Sequence, residues 1–175
     1  MIINYRIEAL DELLNEDCVL GRYFSLISKK KRLMACLSSM GCLTKNDCLK
    51  LSEGVLSRLG CLSPSEVRLF RRFLSLYDVD ERKFKELAAL GLNGERLSSY
   101  RELFLLPGVK SVRAGLYYES GLRSLGDIAS RSYKRIIEMT QRTIDENRLS
   151  LKAPLIKEAK THVAVSIAFT VYRAD

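Results

Sequence analysis

The chain has 175 residues, of which 47% are hydrophobic and 29% are charged, with 29 Lys and Arg against 21 Asp and Glu. This composition supports a packed core and excludes wholesale disorder, and the formal net charge of +8 favours an acidic partner such as nucleic acid. The apolar run 163–172 is interrupted by Ser166 and Thr170 and is shorter than the ~20 residues that a membrane span requires, so no membrane partner is expected.

The spacing of apolar residues predicts an all-α fold, a compact multi-helix array, because three Pro, ten Gly and few alternating β-branched residues leave little material for strands. In chain order, the pattern predicts helices over 7–14, 22–40, 64–77, 81–90, 98–106, 133–147 and 154–171. Asp80 and Ser98 are candidate helix caps. A strand over 162–172 is the alternative for the last element.

Three junctions repeat a helix stop followed by a helix start. Each places a Gly before a Ser or Thr and then an acidic residue three positions later, which is the pattern of a capping box. The three sets are Gly41 with Thr44 and Asp47, Gly60 with Ser63 and Glu66, and Gly121 with Ser124 and Asp127. We expect short helices that fold back tightly, with one helix in the interval between the first two junctions.

The segment 103–122 carries the most specific pattern. An apolar helix end runs into Pro107-Gly108-Val109, and a small Ala114 and a large Leu116 follow in the next helix. The segment resembles the helix-hairpin-helix motif, and its continuation to residue 129 is similar to the stretch that follows the motif in small bacterial proteins. Lys110 stands where the motif has its second hairpin glycine, which strains the turn if that position requires a positive φ.

The resemblance implies that backbone amides of the hairpin contact phosphates of a DNA strand. The amino end of a helix suits this use, because its first amides lack partners and carry partial positive charge. Nearby cations add full charges. The predicted DNA-binding residues are Gly108, Val109, Lys110, Ser111 and Arg113, extended by Arg131, Lys134 and Arg135 downstream. The stretch 18–46 contains six basic and no acidic residues, and we interpret it mainly as a solvated face.

No catalytic constellation is apparent, so a non-enzymatic protein without a cofactor is expected. His162 is the single histidine and is interpreted as a packed, hydrogen-bonded core residue. Position 112, where bifunctional DNA glycosylases carry a catalytic Lys, is Val112. Four cysteines lack the C-x-x-C spacing of zinc sites and are interpreted as buried thiols without a metal: Cys36, Cys42, Cys48 and Cys61.

Acidic side chains within the first fourteen residues and an odd number of cysteines predict a cytoplasmic chain without a secretory leader. The chain divides into an N-terminal helical region (1–97), the hairpin motif (98–130) and C-terminal helices (131–175), which we expect to form one compact unit. Sequence-independent DNA binding through phosphate contacts is the predicted function. The alternative is a helical interaction or structural module whose partner is another protein or a second copy of the chain.

Overall fold

A computed structural model describes residues 3–174 and confirms the predicted all-α class. The described residues form two short 3-10 helices, Ile7–Ala9 and Gly21–Tyr23, and twelve α-helices. The α-helices are α1 (Leu10–Leu13), α2 (Phe24–Ile27), α3 (Lys30–Ser39), α4 (Lys45–Lys50), α5 (Glu53–Ser57), α6 (Pro64–Leu74), α7 (Arg82–Ala88), α8 (Gly94–Leu103), α9 (Ser111–Glu119), α10 (Leu125–Ala129), α11 (Tyr133–Glu146) and α12 (Ile156–Thr170). Within the described residues, no helix is long and apolar enough to cross a membrane. The alternative of a strand over 162–172 is wrong, because α12 occupies most of that range.

The three predicted capping boxes are confirmed at the starts of α4, α6 and α10. In each, the Ser or Thr hydroxyl accepts the third amide of the helix, and the acidic side chain accepts the amide of the capping residue. The preceding glycines, Gly41, Gly60 and Gly121, have φ of +74°, +65° and +78°. These junctions are determined locally, since every partner lies within a few residues.

Other helix boundaries differ from the prediction. The expected helix over 22–40 is broken into a 3-10 turn, α2 and α3, and the last break falls at Lys29, whose ammonium lies 2.7 Å from Glu66 of α6. The single helix expected between the first two junctions is divided into α4 and α5, because the Ser52 hydroxyl caps a new helix by accepting the Val55 amide at 3.3 Å.

The two candidate caps behave differently. Ser98 is not a cap, because α8 begins four residues earlier at Gly94 and encloses it. Asp80 does lie at the start of α7, where its carboxylate accepts the Arg82 amide at 2.9 Å.

A single cluster of buried side chains extends from Tyr5 to Phe169. Within it, α12 packs against α1, α10 and α11. Just after α12, the Tyr172 carbonyl accepts the Arg6 amide at 2.7 Å, and isolated bridges join Tyr5 to Arg173 and Arg6 to Thr44. The first described residues are therefore fastened between the start of α4 and the segment after α12.

Lys45 lies in the core, so the interpretation of 18–46 as a solvated face is wrong at this residue. Its side chain is 1% exposed, and its ammonium pairs with the Asp78 carboxylate and donates to the Ile3 carbonyl at 3.2 Å. The ammonium also lies 5.7 Å from the centroid of the Tyr5 ring. Lys45 is the first residue of α4, and the attachment of the amino-terminal segment at this point turns its side chain inward.

Replacing Lys45 by Met is expected to lower the free energy of unfolding by about 2–4 kcal/mol, because the Ile3 carbonyl and the Asp78 carboxylate lose their donor. Urea denaturation followed by circular dichroism measures the change. Lys50→Met is the matched control, since Lys50 lies on the same helix and is largely exposed, and its expected effect is within about 0.5 kcal/mol. Equal stabilities of the two variants would contradict a stabilising role for the buried pair.

Candidate nucleic-acid interface

Helices α8 and α9 are joined by the turn 104–110 at the predicted position. Phe104, Leu106 and Val109 are fully buried and anchor the turn to the hydrophobic core. Gly108 is exposed and has a φ of +72°, and a Cβ built on it would meet no atom of the described residues within 4 Å. The backbone at Gly108 is thus bare and open to a ligand.

Lys110 takes the place of the second hairpin glycine without strain. Its φ of −126° and ψ of −173° are extended values that any residue adopts, because Gly108 alone provides the left-handed step of this turn. The strain that the sequence raised as a concern is therefore absent. The Lys110 side chain is 67% exposed, and its ammonium lies 3.9 Å from Glu86.

The carbonyls of the turn are satisfied from inside the molecule. The Lys83 ammonium, from α7, donates to the carbonyls of Phe104 and Leu106 at 3.1 and 3.0 Å. His162 of α12 donates from Nε2 to the Pro107 carbonyl at 2.9 Å. These contacts fix the direction in which the chain enters α9.

His162 is a core residue, as predicted. It is 1% exposed, its Nε2 donates to the Pro107 carbonyl at 2.9 Å, and its Nδ1 lies 2.7 Å from the Tyr117 hydroxyl. Burial lowers the pKa of His162 and so favours the neutral imidazole. In this form Nε2 carries the ring proton, so Nδ1 accepts a hydrogen bond from the Tyr117 hydroxyl.

A cleft of about 440 Å³ opens at the amino end of α9. Of the predicted site residues, it brings together Gly108, Lys110, Ser111 and Arg113. No acidic residue occupies the first turn of α9, and no side chain of residues 3–174 caps it. The first amides of α9 therefore present unpaired donors beside the cleft.

Val109 was expected to present a free amide to DNA, but its amide is already hydrogen-bonded within the turn. Its side chain is buried, and its amide donates to the Leu106 carbonyl at 3.3 Å. Val109 therefore supports the turn from inside, and the unpaired donors at the start of α9 are those of Ser111, Val112 and Arg113.

Arg113 lines the cleft but is bound within the protein. Its guanidinium pairs with Glu158 of α12 at 3.0 Å and donates to the Lys152 carbonyl at 2.7 Å. The charge of Arg113 is thus offset by a carboxylate. Its structural effect is to hold the loop 147–155 and the start of α12 against α9.

The cleft also contains residues outside the predicted site set, namely Val112, Leu116, Leu151, Lys152 and Glu158. Lys152 is exposed and makes no ion pair with another described residue. The only signal near it is Pro154, which predicts a helix start and does not indicate that this start lies beside the hairpin. The juxtaposition is a tertiary contact between positions 39 residues apart.

The downstream cations do not line this cleft. Arg131 donates to the Asp127 carbonyl at 2.6 Å and Arg135 lies 3.3 Å from Glu138, whereas Lys134 is exposed. The neighbouring start of α11 borders a second cleft, which contains acidic Glu16 and Asp17. The cleft therefore contains four of the eight predicted residues.

The cysteines show no metal-binding arrangement in the described part of the chain. All five are free thiols, and no group of three or more His, Cys, Asp or Glu residues between positions 3 and 174 could hold a metal ion. Burial raises the pKa of Cys48 to about 12, which keeps this thiol protonated at neutral pH.

The chain is thus an all-α protein with a basic cleft at the start of a helix that follows a tight turn. No family model and no solved structure matches it. Over 62 residues, or 35% of the chain, it is 39% identical to the ATP-dependent DNA helicase Hel308 of Thermoplasma acidophilum. That stretch spans 9% of the helicase.

The buried imidazole predicts a pH dependence of stability. Because the pKa of His162 is lowered in the folded state, the unfolded chain binds the proton more readily once the pH falls below about 6.5. The stabilisation is present above that pH and is lost as the pH falls towards the folded-state pKa. We expect the free energy of unfolding to decrease by up to about 1.4 kcal/mol per pH unit in this window.

Urea denaturation at several pH values between ~7 and ~5.5 measures this slope. The sequence contains one histidine, so His162→Gln removes the titrating group while leaving an amide that can bond to Pro107 or Tyr117. The variant should lose the slope in this window. An identical pH dependence in both proteins would show that another group is responsible.

Proposed function

We propose that this chain is a non-enzymatic protein that binds DNA through its phosphate backbone without reading base sequence. The observation that carries the proposal is the uncapped start of α9, which opens into a cleft flanked by Lys110 and Lys152. The resemblance of residues 103–129 to the helix-hairpin-helix motif supports the same function.

The physical chemistry of the cleft suits a phosphate. Unpaired amides and the positive end of the helix dipole attract an anion, and the Ser111 hydroxyl is a further donor. Bare backbone at Gly108 permits close approach. Among residues 3–174 the cleft is lined by one carboxylate, that of Glu158, which pairs with Arg113 and accepts the Leu155 amide at 3.2 Å, so its charge is partly offset.

These donors explain why no sequence preference is proposed. Backbone amides and lysine ammonium groups at this position would contact phosphate oxygens, which are the same in every DNA sequence. Of the downstream cations, exposed Lys134 has no ion pair with another described residue and is proposed as an outer contact. Arg131 and Arg135 are proposed as weaker outer contacts, because they lie 3.6 and 3.3 Å from acidic partners, closer than the 3.9 Å between Lys110 and Glu86.

The partial similarity to a DNA helicase supports a role on DNA. Because the similar stretch spans only 9% of the helicase, the similarity supports DNA as a partner but does not support a helicase activity. Five free cysteines suit a compartment that keeps thiols reduced, and we propose a cytoplasmic location.

The double variant Lys110→Glu with Lys152→Glu tests the cleft. Fluorescence anisotropy with unrelated duplexes should show a loss of affinity of about 10–100-fold that is similar for all sequences. The slope of log K against log salt concentration should also decrease by about 0.9 for each phosphate that the variant no longer neutralises. Arg113 is left unchanged because it positions the backbone of Lys152.

The matched control is Lys50→Glu with Arg58→Glu, which makes the same change in net charge on exposed residues of α4 and the end of α5. A much smaller loss is expected there. Equal losses in both double variants would mean that overall charge, and not the cleft, determines binding. If the wild-type protein binds no DNA even at low salt, the hairpin is a structural element and the protein-interaction alternative replaces this proposal.

A further inference from the structure

The most exposed apolar side chains of the described residues lie at the starts of α9 and α12. Among residues 3–174, the three most exposed large apolar side chains are Leu155, Val112 and Ile156, at 76%, 62% and 60%. Leucine and isoleucine at the start of a surface helix gain nothing from contact with water, and an apolar cluster at one place on a surface marks an interaction site.

The positions of these residues relate them to one another. Val112 lies in the first turn of α9 and lines the cleft. Leu155 is the capping residue of α12, and Ile156 is its first helical residue. The Glu158 carboxylate accepts the Leu155 amide at 3.2 Å and pairs with Arg113 at 3.0 Å, so the two helix starts are tied together across the cleft.

We propose that Val112, Leu155 and Ile156 form an apolar wedge that contacts DNA where base stacking is already interrupted, such as a gap or a branch. This inference rests on the proposed phosphate-binding function of the same cleft. It adds a class of substrate, namely DNA with unstacked bases, and it assigns a function to three side chains that make no contact with phosphates.

Charge complementarity identifies DNA as the occupant. Val112 lines the cleft together with Lys110 and Lys152 at the positive end of α9, so a partner there must offer negative charge and apolar surface within a short distance. A DNA strand offers both, since phosphates alternate with sugars and with the faces of unstacked bases. Proteins that insert apolar side chains between base steps use Leu, Ile and similar residues next to cationic backbone contacts.

The preference for interrupted DNA follows from the free energy of stacking. To reach base faces in a continuous duplex, a wedge must first separate neighbouring base pairs, which costs free energy. At a gap or a branch this separation already exists. The apolar contacts therefore add to affinity on interrupted DNA, whereas a continuous duplex is bound by the phosphate contacts alone.

Fluorescence anisotropy compares two probes of identical sequence, a continuous duplex and the same duplex with a short single-stranded gap. The wild-type protein is expected to bind the gapped probe about 10-fold more tightly. The triple variant Val112→Ser, Leu155→Ser and Ile156→Ser should reduce this ratio to about one.

The matched control replaces three other apolar residues of similar exposure, Leu20, Leu43 and Val171, by Ser. This control should retain the preference for the gapped probe. Circular dichroism and urea denaturation of both variants verify that each is folded, so the disappearance of the preference cannot arise from unfolding.

The outcomes separate the wedge from the phosphate site. Salt-dependent binding with equal affinities for both probes overturns the wedge and leaves the phosphate-binding function intact, and an unchanged preference in the triple variant does the same. Failure of the wild-type protein to bind either probe overturns both. If sedimentation shows that the wild type self-associates and the triple variant does not, the surface joins two copies of the chain and the wedge is again overturned.

Discussion

The hydrogen bond from His162 to the Pro107 carbonyl fastens the turn before α9 to α12 and so fixes where α9 begins. Backbone polar groups that leave water need partners, so a tight turn is stable only if its carbonyls find donors. Here Lys83 and His162 supply donors to three carbonyls from inside the molecule. With its carbonyls held on the protein side, the chain enters α9 with its first amides facing the cleft.

Positive charge in this protein has two distinct uses. Lys45 and Arg113 are bound to carboxylates and backbone carbonyls, and both connect segments distant in sequence. Lys110 and Lys152 are exposed on the rim of the cleft. The net charge of +8 therefore overstates the positive charge that is available to a ligand. The position of each cation determines whether it stabilises the fold or can bind a partner.

The sequence predicted what local interactions determine. Each capping box joins residues three apart, such as Thr44 and Asp47, and the stop at Gly41 needs only the freedom of glycine at positive φ. Predictions failed where contacts between residues distant in sequence determine the structure. Lys29 is an example, because it pairs with Glu66 at a point where a helix was expected to continue. In the same way the sequence predicted the hairpin half of the cleft, whereas Lys152 reaches it through a contact that no periodicity indicates.

The pairing of α9 with α12 also explains why an anion suits the cleft. Arg113 contacts Glu158 and, one turn later, Tyr117 contacts His162, so the two helices run parallel and their amino ends lie together. Parallel helices place two positive dipole ends side by side, which is unfavourable unless negative charge lies near them. Glu158 provides this charge in the first turn of α12, whereas the first turn of α9 contains no acidic residue. A phosphate at that position would complete the balance of charge, which is consistent with the proposed phosphate-binding function.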